Sequence, residues 1–183
     1  MDVETKVQEL SRIRELLSIP PSPVFVYVSI PLQRLFLCNS EQVRREFPVS
    51  TSIQPPSCIE DSAGTPDGFH RIEQKIGSEA KAGTVFFSRV STGKFFWEFD
   101  KEIQERNLIT SRILWLRGLE PGKNAGQGVD TFRRYVYIHG TNHEDRLGSP
   151  ASGGCVVMGN EDIIRFYDQV PVGTNVYIDR EAI

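Results

Sequence analysis

Cysteine is scarce in this 183-residue chain, and so are the other elements of several functional classes. There are three cysteines, an odd number, so a full disulfide framework is excluded. Neither paired cysteines nor a Cys/His spacing typical of a zinc site occurs. Histidine is also limited to three residues. No apolar run approaches the roughly 20 residues that span a bilayer. The net charge of −3 gives no electrostatic case for nucleic acid or an anionic membrane surface. The glycine-rich stretch 120–128 lacks the Gly-x4-Gly-Lys-Ser/Thr pattern, so it is not a phosphate-binding loop. Internal repeats, low-complexity tracts and a second-domain linker are likewise missing. Met1-Asp2-Val3-Glu4 has neither the basic segment nor the apolar core of a signal peptide, which taken alone points to the cytosol.

What is present fits one domain with a full core. Residues 3–18 carry Val7, Leu10, Ile13, Leu16 and Leu17 at near-helical spacing, and the prolines at 20, 21 and 23 stop that helix. From Val24 the pattern turns to short β segments: 24–28, 33–37, 44–50, 69–76, 109–116, 135–138 and 175–178. Residues 85–87 and 94–97 read as strand fragments, and 100–106 as a short polar helix or loop. The aromatics among them are assigned to the core. Glu41 to Arg45 reads as a solvated face with no role. Residues 51–68 form a loop ending in Pro66-Asp67-Gly68, where proline sets one turn angle and glycine accepts positive φ. Asn160 is expected to cap a short helix followed by Ile163, Ile164 and Tyr167. Many short strands with little helix predict a mainly β fold. Cys38, at the end of an apolar run, is expected to be a buried thiol, with a Cys38–Cys58 disulfide as the alternative in an oxidising compartment.

The stretch from His139 to Met158 concentrates the chemistry. An aromatic and β-branched run delivers His139-Gly140-Thr141-Asn142 to a strand end. A polar bridge follows, then Pro150-Ala151-Ser152-Gly153-Gly154-Cys155-Val156-Val157-Met158. A thiol flanked by small residues and a histidine at a strand end are the two parts of an activated nucleophile. Glycines 153 and 154 let a substrate carbonyl approach the backbone, whose amides could face a developing oxyanion. A cysteine and a histidine in one chain are also compatible with inert packing.

His139-Gly140-Thr141 and Ser152, Gly154 and Cys155 resemble the signature of the YkuD-type L,D-transpeptidases. In that family a His-Gly-Thr element precedes Ser-His-Gly-Cys, a hydrophobic residue, then Arg or Asn. Gln33-Arg34-Leu35, Pro48-Val49-Ser50-Thr51, the Thr65-Pro66 element and the ending Val172-Gly173-Thr174 extend the likeness over about residues 24–178. Gly153 and Val157 depart from it, replacing a histidine and an arginine. The resemblance implies a YkuD-like curved sheet or sandwich over 24–183, with 1–23 as an N-terminal helix and proline-rich connector. It implies that Cys155 attacks a peptidoglycan stem peptide, that His139 is the general base and that the Gly140 carbonyl orients the imidazole. Ser152, Gly153, Gly154, Tyr137 and Thr141 are the implied substrate-binding residues, and carbapenems the implied inhibitors. No cofactor, metal or nucleic acid is implied. The place implied is the periplasm or cell wall, with a targeting segment absent from this chain. An L,D-carboxypeptidase or a weakened cell-wall-peptide-binding domain are the alternatives. His70 and His143 remain as half-buried or exposed side chains, each a candidate for the place of the missing histidine.

Overall fold

The computed structural model describes residues 2–39 and 42–182. Helix α1 (Val3–Leu16) starts where the Asp2 carboxylate accepts the Thr5 amide at 2.8 Å, satisfying one of the free donors of a helix start. Its apolar stripe buries Val7 and Leu10 completely against Phe25, Tyr27, Phe36 and Phe69. Each such burial contributes roughly 1.5–3 kcal/mol. Lys6 adds a polar tie, reaching the buried Asp179 carboxylate at 3.3 Å, to which Tyr27 also donates at 3.1 Å.

Ten strands follow: β1 (Phe25–Ser29), β2 (Arg34–Asn39), β3 (Gln42–Ser50), β4 (Gly68–Ile76), β5 (Thr84–Phe87), β6 (Val90–Phe95), β7 (Ile109–Gly118), β8 (Tyr137–Gly140), β9 (Val156–Met158) and β10 (Asn175–Asp179). Two more helices, α2 (Lys101–Gln104) and α3 (Asn160–Gln169), are short. The strands form one sheet in the order β4-β10-β1-β2-β3-β9-β8-β7-β5-β6, and β4 also pairs with β7. That extra pairing curls the sheet into a closed, barrel-like ring, with the β5–β6 hairpin hanging from β7. Closure removes sheet edges that would otherwise be exposed. Most neighbours are antiparallel; β1 with β10 and β8 with β9 are parallel. The mainly β architecture agrees with the pattern in the sequence.

The main core gathers alternate residues of the ring, among them Val26, Leu35, Val49, Leu114, Ile138, Val156 and Met158. Ile163 and Phe166 of α3 pack into it. Cys38 is a fully buried free thiol and Cys58 is also free, so the structure follows the thiol reading of the pair. Burial pushes the Cys38 thiol up to about 12.

Several expectations shift. The strand placed at 135–138 begins at Tyr137, because Tyr135 adopts positive φ (56°) and closes a turn on Phe132. Asn160 is the first helical residue, preceded by Gly159 as cap. Its side chain turns inward instead: Oδ1 accepts the Thr110 and Ser111 hydroxyls, and Nδ2 donates to the Thr141 carbonyl at 2.8 Å. Of the aromatics assigned to the core, Phe86 is buried there, whereas Phe95 and Phe96 are half-buried and Trp97 is exposed. Phe95 and Trp97 stack 4.7 Å apart, and Trp97 is more than half exposed. A short 3-10 turn carries Phe96 and Trp97, whose rings lie against Gly83. Within the stretch read as a solvated face, Glu41 lies outside the described residues, and Gln42, Arg44 and Arg45 are exposed.

Candidate active site

β8 and β9 run side by side in the same direction, with Ile138 opposite Val156 and His139 opposite Val157. Ile138 and Val156 both enter the main core. Side chains alternate along a strand, so Tyr137, His139, Cys155 and Val157 share the other face. The pattern that buries the apolar residues therefore puts histidine and cysteine on the same face of neighbouring segments.

His139 is almost fully buried. Its Nδ1 lies 2.7 Å from the Gly140 carbonyl oxygen, which can only accept, so Nδ1 carries the proton and Nε2 is left as the basic nitrogen. Burial pushes the imidazole down to about 4, partly opposed by that carbonyl. Gly140 has a packing reason of its own: a Cβ there would lie 2.6 Å from the Thr110 carbonyl oxygen of β7.

Cys155 enters β9 from a tight turn. Gly154 has φ of 130°, and a Cβ on it would meet the carbonyl oxygens of Ala63 and Gly64 at 3.3 and 3.5 Å. The thiol sulfur accepts the Tyr137 amide at 3.3 Å. Burial pushes the thiol up to about 11, while the Tyr137 N–H and the Arg134 charge act in the opposite direction. Among the described residues no hydrogen bond joins Cys155 to His139. Each is held by its own partner, the Tyr137 amide for the sulfur and the Gly140 carbonyl for the ring.

The turn separates two spaces. Gly153, Gly154 and Cys155 open on a cavity of about 520 Å³, also lined by Glu60, Asp61 and Arg134. His139 faces a space of only about 10 Å³ with Leu108, Thr141, Ser152 and Val157. Of the residues expected to bind substrate, only Gly153 and Gly154 face the larger cavity. Ser152 braces the turn, donating to the Cys155 carbonyl and accepting the Gly154 amide at 3.2 Å. Thr141 accepts the His143 amide at 3.1 Å, and Tyr137 is buried with its hydroxyl accepting from Arg89 at 3.2 Å.

The other two histidines have different duties from those expected. His70 is fully buried, its ring bonded to the Gly68 carbonyl at 2.9 Å and to Thr131 Oγ1 at 3.1 Å. It ties β4 to the segment before β8 and is neither exposed nor half-buried. His143 lines the His139 space, but its Nε2 contacts the Arg106 carbonyl at 3.2 Å. Beside it Asn142 Nδ2 donates to the Gln104 carbonyl at 2.6 Å, and Asn107 donates to the Ala151 carbonyl at 3.3 Å. Residues 104–108 are thus strapped over the imidazole.

Arg134 was absent from the sequence reading as a site residue. Its one signal was position: a basic pair, Arg133-Arg134, directly ahead of the strand that carries His139.

Residues 23–178 match the model of the YkuD family, the L,D-transpeptidase catalytic domain. The chain belongs to that family. Among curated proteins, YqjB of Bacillus subtilis is 44% identical over 45 residues, 25% of this chain and 26% of that protein. The probable L,D-transpeptidase ErfK/SrfK of Escherichia coli is 47% identical over 45 residues, 25% of this chain and 14% of its own length. These matches thus span about a quarter or less of the relatives' length. Among solved structures, an L,D-transpeptidase of Xylanimonas cellulosilytica superposes with a TM-score of 0.54 at 18% identity, over 87% of this chain and 62% of that one. L,D-transpeptidase 3 of Mycobacterium tuberculosis, solved with a faropenem-derived adduct, gives 0.54 at 14% identity, over 87% and 60%. At such identities the likeness is one of fold. Within this YkuD domain, the two positions that depart from the signature are set apart: Gly153 is exposed at the open cavity and Val157 is enclosed beside His139.

Proposed function

We propose that this YkuD domain is a cysteine-dependent L,D-transpeptidase acting on peptidoglycan stem peptides. The observation that carries the reading is the His139 Nδ1–Gly140 carbonyl bond, which leaves Nε2 basic on the strand beside the one presenting Cys155 to a cavity. As Sγ attacks the peptide carbonyl carbon, its proton passes to His139 Nε2. The C–N bond then breaks, and the departing D-amino acid takes that proton onto its amine. An amine of a neighbouring stem attacks the resulting thioester and returns the proton through His139, freeing the thiol and forming a cross-link; water in its place gives carboxypeptidase action. The amides of Gly153 and Cys155 are the candidate oxyanion donors, since the Gly154 amide is bonded to Ser152. In this reading residues 1–23 are an appendage to a catalytic domain at 24–183, working in the periplasm or cell wall.

A peptide-binding role is the second reading. It is favoured by the unlinked thiol and imidazole together with the two departures from the signature. Intact mass after incubation with a carbapenem separates the readings. One adduct that disappears in Cys155→Ala supports the enzyme. An unmodified thiol that still binds a stem tetrapeptide supports the binder.

A further inference from the structure

Arg134 occupies an unusual place beside the thiol. It is half-buried and lines the same cavity as Cys155. Its guanidinium donates to the Ser57 carbonyl at 3.0 Å, to the Gly64 carbonyl at 2.8 Å and to Ser62 Oγ at 3.3 Å. Those three acceptors span a loop with two strained backbone positions. Asp61 and Ala63 both adopt left-handed backbone, at φ of 61° and 54°. The loop has ties of its own, among them the Ser57 amide to the Thr65 carbonyl at 3.0 Å and Ser62 Oγ to the Ile59 carbonyl at 2.6 Å. Outside it, the Glu60 amide donates to the Gly128 carbonyl at 2.8 Å and Ser52 Oγ donates to the Ala63 carbonyl at 2.6 Å.

What the loop touches gives the clamp its meaning. The carbonyls of Ala63 and Gly64 are the atoms that pack on Gly154, next to the nucleophile. Gly64 is thus held by Arg134 on one side and abuts the thiol turn on the other. The same guanidinium also sets a fixed positive charge in the cavity, where an arginine stays ionised at every working pH. The other charged groups there are Glu60, Asp61 and Arg133, and the backbones of Tyr135 and Tyr137 contact the thiol. The ring of Tyr137 in turn packs against His139. With glycine at 153, no histidine precedes Gly154 to share the task.

We propose that Arg134 is the positioning residue of the Cys155 thiol. It locks residues 57–64 against Gly154 and provides the positive charge toward which the sulfur ionises. The inference rests on Cys155 being the nucleophile, but not on which peptide it attacks.

The test uses the full chain and two probes, iodoacetamide and a carbapenem. The alkylation rate of Cys155 is followed against pH by peptide mass, for wild type, Arg134→Met and Arg134→Lys. In Arg134→Met the pH midpoint should rise by about one unit, with a roughly tenfold slower rate near neutrality, one pKa unit being tenfold in thiolate. Arg134→Lys keeps the charge but not the fork, so its midpoint should stay near wild type while carbapenem acylation remains slowed. Folded Arg134→Met with a wild-type alkylation profile would overturn the proposal. Should the methionine variant fail to fold, Arg134→Lys decides alone: wild-type acylation refutes the clamp and slowed acylation supports it. A wild-type Cys155 inert to both probes sinks the enzymatic reading and this one together. A normal alkylation shift without stem-peptide turnover leaves Arg134 in its role and removes only the substrate.

Discussion

The two sides of the Ser152–Cys155 turn are built by opposite rules. On the thiol side, backbone without side chains and a ring of charged residues leave about 520 Å³ open. On the imidazole side, Leu108, Val157 and the 104–108 strap reduce the space to about 10 Å³. Under the proposed mechanism the nucleophile must meet a bulky peptide, whereas its base need only exchange one proton and keep its orientation. Enclosure also favours the neutral imidazole, the form able to accept that proton. The difference explains why two substitutions in one signature need not have similar consequences.

The sharpest break of the comparison is removal of the open side's reactive atom. Cys155→Ala should abolish carbapenem adduct formation and peptide turnover, read by intact mass and product release, with thermal unfolding near wild type. Full activity in this variant would place the nucleophile elsewhere. On the closed side, His139→Gln should retain the fold and lose about 10²–10⁴ in acylation rate, the range for a lost general base. A smaller loss would mean that the thiol ionises without the imidazole.

Acid should weaken the fold through its buried imidazoles. His139 and His70 are both held at about 4, below the 6.5 of a free imidazole, chiefly by burial. Between those values the unfolded chain binds protons that the folded chain refuses, so stability rises with pH. The contribution is complete above pH 6.5 and is lost as pH falls toward 4, on the order of 3 kcal/mol per histidine. Urea unfolding between pH 7 and 4 measures it; a flat profile would contradict the enclosure of both rings.

The two signature departures offer the finest comparison. Val157→Arg must displace the strap over His139 and should cost about 1–3 kcal/mol through overpacking. Gly153→His has open space where its Cβ would stand and a backbone outside the left-handed region. It should therefore leave stability within about 0.5 kcal/mol of wild type, as surface changes usually do. Restoring both residues should raise stem-tetrapeptide turnover more than carbapenem acylation. Equal gains in both rates, or a destabilised Gly153→His, would undo the distinction between open and closed sides.

Much of this was legible in the chain because it is encoded locally. Alternating apolar residues fix which face of a strand is buried, so most of the short strands, the initial helix and the position of His139 on a strand could be read from period and motif. The left-handed Tyr135, the inward turn of Asn160 and the stack of Phe95 on the exposed Trp97 could not. Asn160 turns toward Thr110 and Ser111, about 50 residues away in the chain, and the local preference of asparagine for a cap or of aromatics for a core points elsewhere.

The sequence by itself determined the mainly β fold and the family signature. Only the tertiary structure decided that His70 and His143 are committed to backbone and hydroxyl partners, and that Arg134 reaches across the cavity to hold residues 57–64. It also decided which departure faces solvent and which is walled in. The physical reason is that hydrogen-bond partners and burial are properties of the closed ring: β4 must meet β7, and β9 must lie beside β8, before either can be known.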